Sequence, residues 1–329
     1  MVRNKEENMK AIRLTALSLL LAPVLALAQA YPSKPVRMVV PYSAGGATDT
    51  VARAVGNRLS EALGQQVVID NRGGASGMIG SDIVAKAAPD GYTLLLTVGP
   101  PHSAFPFFMK NVPFDTVKDF TPIIVVGTAP QAIVVHPSLP VTSLKGLIDY
   151  SKKNPGKLSY GTSGVGSSQH MGGLLLNRAA GTDMVHVAYK GGAPALNDVL
   201  GGQIPVAIVI LSNVITHVRA GKLHLLAVLE AQRAKAAPDT PTVAEAGVPG
   251  YAVPDTWIGL VGPARLPEAI VNQVNAAVLK ALGFADVRAR LEAAGFEVRG
   301  NTPKEFADGI AKGYETYRRI ATEAGIKPE

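Results

Sequence analysis

The sequence predicts an α/β fold of two lobes, each a sheet layered with helices, with two strands crossing from one lobe to the other. Three observations carry this. Short apolar runs alternate with helix-period patterns from Val36 onward, the order expected of mostly parallel sheets. The 329 residues suit about two domains. Two glycine-rich turns, far apart in the chain, share one layout. Pro41-Tyr-Ser-Ala-Gly-Gly-Ala-Thr-Asp49 and Tyr160-Gly-Thr-Ser-Gly-Val-Gly-Ser-Ser168 each stand between a strand-like run and a helical pattern.

Residues 1–30 stand outside this fold. Lys10 and Arg13 precede the apolar stretch Leu14–Ala28, and Ala28-Gln-Ala30 has the small-x-small form of a cleavage site. The segment reads as a secretory signal peptide. Its apolar part is roughly 15 residues and contains Pro23, against the roughly 20 residues a membrane-spanning helix needs. Met9 offers an alternative start to Met1.

The first unit is a strand over 36–40 and a helix with Val51, Val55, Leu59 and Leu63 at a spacing of four, stopped by Gly64. A strand over 66–69, a helix around 78–87 and the turn Pro89-Asp-Gly91 lead to a buried strand over 92–98. Its continuation, Gly99-Pro-Pro-His-Ser103, is expected to be a third loop on the sheet edge that lines the ligand crevice of parallel sheets. Strands over 122–127 and 132–136 leave this unit. Thr142 or Ser143 then caps a helix that Asn154-Pro-Gly156 stops. Strands over 158–160, 185–189, 206–211 and 223–229 form the second series, and Pro194 suits a first helical turn after Lys190-Gly-Gly-Ala. A proline- and alanine-rich segment, 236–254, is expected to run across the surface. A strand over 257–261 follows, then a helix carrying Ile270, Val274, Val278 and Leu282. A last helix opens on the capping box Thr302-Pro-Lys-Glu305. The order divides the chain into one lobe of residues 31–127 and 255–329 and another of residues 128–254.

Composition excludes several functions. Apolar residues are 47% and charged residues 17%, so large cores form and disorder is not expected. Net charge is +7, but no basic run exceeds two residues, which lacks the stripe a nucleic-acid binder shows. With aromatics at 5%, a stacking platform for sugars or bases is not expected. The absence of cysteine removes disulfides, a thiol nucleophile and a lipid-modified cysteine. The six histidines show no metal spacing. Gly161-Thr-Ser-Gly164 resembles a nucleophile elbow, yet the pattern fails at Val165, and no Gly-Lys-Ser/Thr closes either turn. No cofactor is implied.

A strand, a glycine-rich turn and a helix start together present free N–H groups and a positive dipole end, which is an anion cradle. Taken singly, such a turn most often only reverses the chain. Two of them in one exported chain point to an anion held from two sides. Asp49 then caps its helix and shapes the turn through backbone N–H groups. His170 is expected to pack at the start of its helix. Lys190 either charges the cleft or is simply solvated.

These residues resemble a known family, the Bug-type periplasmic solute-binding receptors of tripartite tricarboxylate transporters. The resemblance spans Tyr31 to the C-terminus. It is carried by Tyr31-Pro-x-Lys-Pro35, Gly45-Gly46-x-x-Asp49, Asn71-Arg-x-Gly-Ala75, Ala88-Pro-Asp-Gly-Tyr92, Phe114-Asp-x-x-Lys-Asp-Phe120, Gly164-x-Gly-Ser-Ser-Gln-His170, Tyr189-Lys-Gly-Gly-Ala-Pro-Ala-Leu196 and Leu200-Gly-Gly-Gln203, among others. It implies a type II periplasmic-binding-protein fold with a hinged cleft that takes small carboxylates. It also implies delivery to the membrane subunits of a tripartite tricarboxylate transporter, by a protein expected to be a monomer that binds no nucleic acid. The contacts it implies are Tyr42, Ser43, Ala44, Gly45, Gly46, Thr48 and Asp49 in the first turn, and Thr162, Ser163, Gly166, Ser167 and Ser168 in the second. Gly99, His102, Lys190 and Gly191 are further candidates. One departure bears on specificity. Many relatives carry acidic residues after Leu-Gly-Gly-Gln, whereas Ile204–Asn213 holds no carboxylate, so a partner for a substrate ammonium is missing there. A ligand-loaded sensor for a membrane signalling partner and a secreted hydrolase are the competing readings.

Overall fold

The computed structural model describes residues 31–251, 253 and 256–328. The expected signal peptide, residues 1–30, and the expected lobe boundary at 254/255 therefore fall outside the described residues. Among the described residues, no helix is long and apolar enough to cross a membrane.

The first sheet begins with β1 (Val36–Val40), whose apolar residues are buried, and β2 (Val67–Asn71), paired in parallel. Between them the helix Ala47–Leu63 buries Val51, Val55, Leu59 and Leu63 and ends at Gly64, which adopts φ 69°. β3 (Thr93–Val98) pairs in parallel with β1. β4 (Phe120–Thr128) leads by Ala129 and Pro130 into β5 (Gln131–Val135), which belongs to a second sheet. That sheet also contains β6 (Ser159–Thr162), β7 (Val185–Ala188), β8 (Val206–Ile210) and β9 (His224–Val228), in the order β7-β6-β8-β5-β9. The chain then returns as β10 (Trp257–Pro263), and β11 (Glu297–Val298) closes the first sheet as β11-β4-β10-β3-β1-β2. Each sheet has its own apolar cores: one around Met38, Leu94, Leu96 and Ile258, another around Ile133, Tyr160, Ile208 and Leu226.

The expectation of mostly parallel sheets needs correction. β10 runs antiparallel between β3 and β4, and β5 runs antiparallel between β8 and β9. These are the strands beside the crossings, and a chain that leaves one sheet for the other re-enters it in reverse. The crossings touch one another. The Ala129 N–H donates to Thr256 O at 2.7 Å, and the Gln131 N–H lies 3.0 Å from both oxygens of the buried Glu230 carboxylate.

Three further differences have local causes. The segment expected on the surface inserts Val243, Val248, Tyr251 and Val253 into the second core, an aperiodic set that no repeat reveals. The stretch after β3 is a helical turn, Pro100–Ser103, closed by the Ser103 hydroxyl donating to Gly99 O at 3.0 Å. β8 ends at Ile210, where a helix unforeseen in the sequence, Leu211–Arg219, begins without a side-chain cap. The last helix, Pro303–Ala324, has the expected capping box of Thr302 and Glu305.

Candidate functional site

The first glycine turn is held by Asp49. Its buried carboxylate accepts from the Gly45 N–H at 2.9 Å, from Arg53 Nε at 2.9 Å and from Asn71 Nδ2 at 3.1 Å. Burial works to raise its pKa. The donors from Arg53, Gly45 and Asn71 together outweigh burial, and the net shift is downward. Asp49 is thus an ionised brace whose oxygens face its own loop, as the sequence suggested, but it does not cap its helix, whose N-cap is Gly46 without a side-chain cap. Asn71 also donates to Tyr42 O, and the Tyr42 hydroxyl to Ser76 O, so the base of the turn is fixed from β2 and the segment after it.

The second turn braces itself with hydroxyls. Thr162 Oγ1 accepts from the Gly164 N–H at 3.1 Å and meets His186 Nε2 at 2.6 Å. Ser163 donates to Gln169 Oε1 at 2.7 Å. Ser167 is the N-cap: it accepts from the His170 N–H at 3.2 Å and donates to Gly164 O at 2.7 Å. His170 Nδ1 accepts from the Gly166 N–H, and its ring stacks on His186 with centroids 3.9 Å apart. Burial lowers the pKa of His170 to about 4, and burial with the neighbouring His170 lowers that of His186 to about 3. Both rings are neutral at pH 7 and serve as loop supports.

The two turns face each other across one narrow cleft. It is lined by Tyr42, Ser43, Gly46 and Thr48 from the first and by Ser163, Ser167 and Ser168 from the second. Direct contact joins the sides: the Ser43 hydroxyl donates to Lys190 O at 3.2 Å. The cavity there is about 30 Å3, room for a few waters and not for a dicarboxylate. A ligand of that size requires the turns to part.

Four helices aim their N-termini into this cleft. Ala47–Leu63, Ser168–Ala180, Gly192–Leu200 and Leu211–Arg219 supply lining residues from Gly46, Ala47 and Thr48, from Ser168 and Gln169, from Gly192, and from Asn213. Only the first of the four carries an acid in its first turn, and that acid is Asp49. Each helix start leaves N–H groups without intrahelical partners, and the dipoles add in the same sense. Among the described residues, the Thr48 and Ser168 hydroxyls and the Asn213 amide, all lining the cleft, have no hydrogen-bond partner. The arrangement is a neutral donor set with positive dipole ends, suited to an anion.

The remaining candidates are placed differently. Ala44 and Gly45 are exposed at the tip of the first turn. Thr162 lies behind the second turn as a support, whereas Gly166 faces the first lobe, where a Cβ on it would stand 2.7 Å from Met109 Sδ. Lys190 meets the first turn through its carbonyl while its residue is exposed; Gly191, at φ 153°, packs against Ser43. Gly99 lines a separate cavity beside Trp257. His102 is wholly buried, edge-on to Phe120 at 4.5 Å, with neither ring nitrogen hydrogen-bonded. Burial lowers its pKa to about 3, and the nearby Thr116 backbone offsets a little of this without meeting hydrogen-bond geometry. Gln169, Gly192, Ile210 and Asn213 were missed in the sequence. Gln169 follows the matching Ser-Ser pair and was legible as a first-turn residue, but Asn213 belongs to the unforeseen helix.

The family described as tripartite tricarboxylate transporter family receptor matches residues 51–326. Protein BugT of Bordetella pertussis is 34% identical over 307 residues, covering 93% of each chain. Among solved structures, the Rpa4515 protein of R. palustris with adipate aligns with TM-score 0.86 at 36% identity, over 91% of this chain and 100% of that one. MatC of Rhodopseudomonas palustris with bound malate aligns with TM-score 0.84 at 33% identity, over 88% and 100%. The two-sheet fold is also that of the periplasmic binding protein BugD, which aligns with TM-score 0.86 at 33% identity over 91% of this chain and 100% of that one.

Proposed function

The chain belongs to the tripartite tricarboxylate transporter receptor family, and from that premise we propose that it is a periplasmic receptor that captures a small carboxylate by closure of its two lobes and delivers it to the membrane subunits of such a transporter. One observation carries the reading. Four helix N-termini and three unpartnered polar side chains converge on one cleft that presents no free cation and no free acid among its described lining residues.

The proposed contacts are Ser43, Gly46, Thr48, Ser163, Ser167 and Ser168 with the added Gln169 and Asn213. Asp49 and Thr162 support them, and Gly166 lies where the second turn meets the first lobe. Hydrogen bonds to a charged group contribute about 1.5–3 kcal/mol each. Four to six of them meet the roughly 8 kcal/mol of a micromolar complex after ordering costs. Because the donors come from both lobes, the ligand binds the closed form more tightly, and that difference drives closure. The adipate and malate of the two solved relatives support a short dicarboxylate as the ligand class. Capture without conversion is supported by Ser163, whose hydroxyl donates to an amide oxygen and not to a base.

A thermal-shift series with succinate, malate, adipate and benzoate tests this. A bound ligand at 100 times Kd adds about 2.7 kcal/mol, and the melting midpoint rises by several degrees with the added acid recovered unchanged. Chemical turnover of the stabilising acid, or no shift with any of them, contradicts the reading.

A further inference from the structure

A second cavity lies between the lobes, where the chain crosses back to the first sheet, and carboxylate capture at the glycine turns makes no use of it. It measures about 990 Å3, at the upper end of small-molecule sites. Both lobes wall it. Leu175 and Arg178 come from the last turns of the helix Ser168–Ala180, Tyr251 from the crossing segment, Trp257 from β10, and Lys312 and Arg319 from the C-terminal helix. Lys312 and Arg319 are exposed and have no ion-pair partner among the described residues, and the described lining residues include no carboxylate.

Gly309 adds an independent sign. Glycine inside a helix is unfavourable relative to alanine, yet no atom lies within 4 Å of where its Cβ would stand. Close packing does not require this glycine; its effect is to leave one wall of the cavity open. The cavity also shares elements with the cleft. Val98 lines the cleft and Gly99 the cavity. Ser168 lines the cleft and Arg178, about 15 Å further along the same helix, lines the cavity.

We propose that this cavity is a second binding site, for an amphipathic carboxylate with an aliphatic or aromatic body, and that its occupation favours the closed cleft. The body packs among Leu175, Tyr251 and Trp257, and the carboxylate meets Lys312 and Arg319. Both lobes wall the cavity while Ser43 of the first turn touches Lys190 of the other lobe, so a molecule bound there stabilises that state and, by reciprocal linkage, strengthens binding in the cleft. The coupling rests on the receptor reading above; the site itself does not.

Trp257 is the chain's single tryptophan, so its fluorescence reports on this cavity. Octanoate is the probe. The expected result is a saturable change in tryptophan emission at or below roughly millimolar concentration. It is weakened at least tenfold by Gly309→Phe and by the pair Lys312→Ala and Arg319→Ala, and unchanged by the cleft pair Thr48→Ala and Ser168→Ala. Melting curves of the variants establish that they are folded. Saturating octanoate is expected to tighten adipate binding severalfold in the native chain and not in Gly309→Phe. No saturable change, a change indifferent to Gly309→Phe, or competition between octanoate and adipate overturns the site; unchanged adipate affinity overturns the coupling. A chain that binds octanoate but no short dicarboxylate refutes the receptor reading and leaves this site standing.

Discussion

Asp49 shows how a residue of the wrong charge belongs beside an anion site. Its oxygens are taken by Gly45, Arg53 and Asn71, so its role is the shape of the turn. Asp49→Ala should cost about 1–3 kcal/mol by urea denaturation, since buried donors lose their acceptor, and should weaken carboxylate binding in calorimetry. Tighter binding at unchanged stability would mean that its charge merely repels the ligand. His102 makes the opposite case, a polar residue in the apolar core. Its pKa is lowered, as are those of His170 and His186, so all three contribute stability in full above about pH 6.5, the unfolded value. That contribution is lost as pH falls toward the folded values of about 3 to 4. Asp49, also lowered, contributes above its unfolded value near 3.8 and loses that only in stronger acid. His102→Leu removes one of the three histidines. Its unfolding free energy should fall less than that of the native chain between pH 7 and pH 5; an identical slope would show that His102 is not buried in its neutral form.

At the scale of elements, the second turn meets the opposite lobe through a glycine. Gly166 has φ 73°, and a Cβ there would stand 2.7 Å from Met109 Sδ. Gly166→Ala is expected to impair closure, lowering carboxylate affinity about tenfold while costing only about 1 kcal/mol of stability. Full affinity in that variant would remove the turn from the closing surface. The helix Leu211–Arg219 places a neutral amide, Asn213, in the cleft. Succinate should therefore bind more tightly than glutamate, whose ammonium finds no acid, and Asn213→Asp should narrow or reverse that order in a calorimetric comparison. The legibility of these elements differs for physical reasons. The glycine turns announce themselves because positive φ and close backbone approach demand glycine, and the capping box because Thr302 and Glu305 act locally. The helix at Leu211 has an apolar N-cap, Ile210, that gives no local signal. Val243, Val248 and Tyr251 reach the core from turns that have no period. His102, a contact that the resemblance implies, turns its side chain toward Phe120 and does not line the cleft.

At the scale of the whole molecule, two sheets are joined where Ala129 meets Thr256 and Gln131 meets Glu230. The first glycine turn touches the loop after β7 through Ser43 and Lys190, leaving about 30 Å3 in the cleft between the two turns. A dicarboxylate must part them on entry and be gripped again from both sides on closure. In the proposed receptor, the converging helix ends hold the negative charge of the ligand and not its shape alone. Isothermal calorimetry with adipate and with its neutral diamide tests this most directly, malate and malamide serving as a second pair. One-to-one binding of at least one diacid is expected, weakened by at least about 100-fold in the matching diamide, where roughly 3 kcal/mol of charge-assisted hydrogen bonding is lost. Equal affinity for a diacid and its diamide would contradict it.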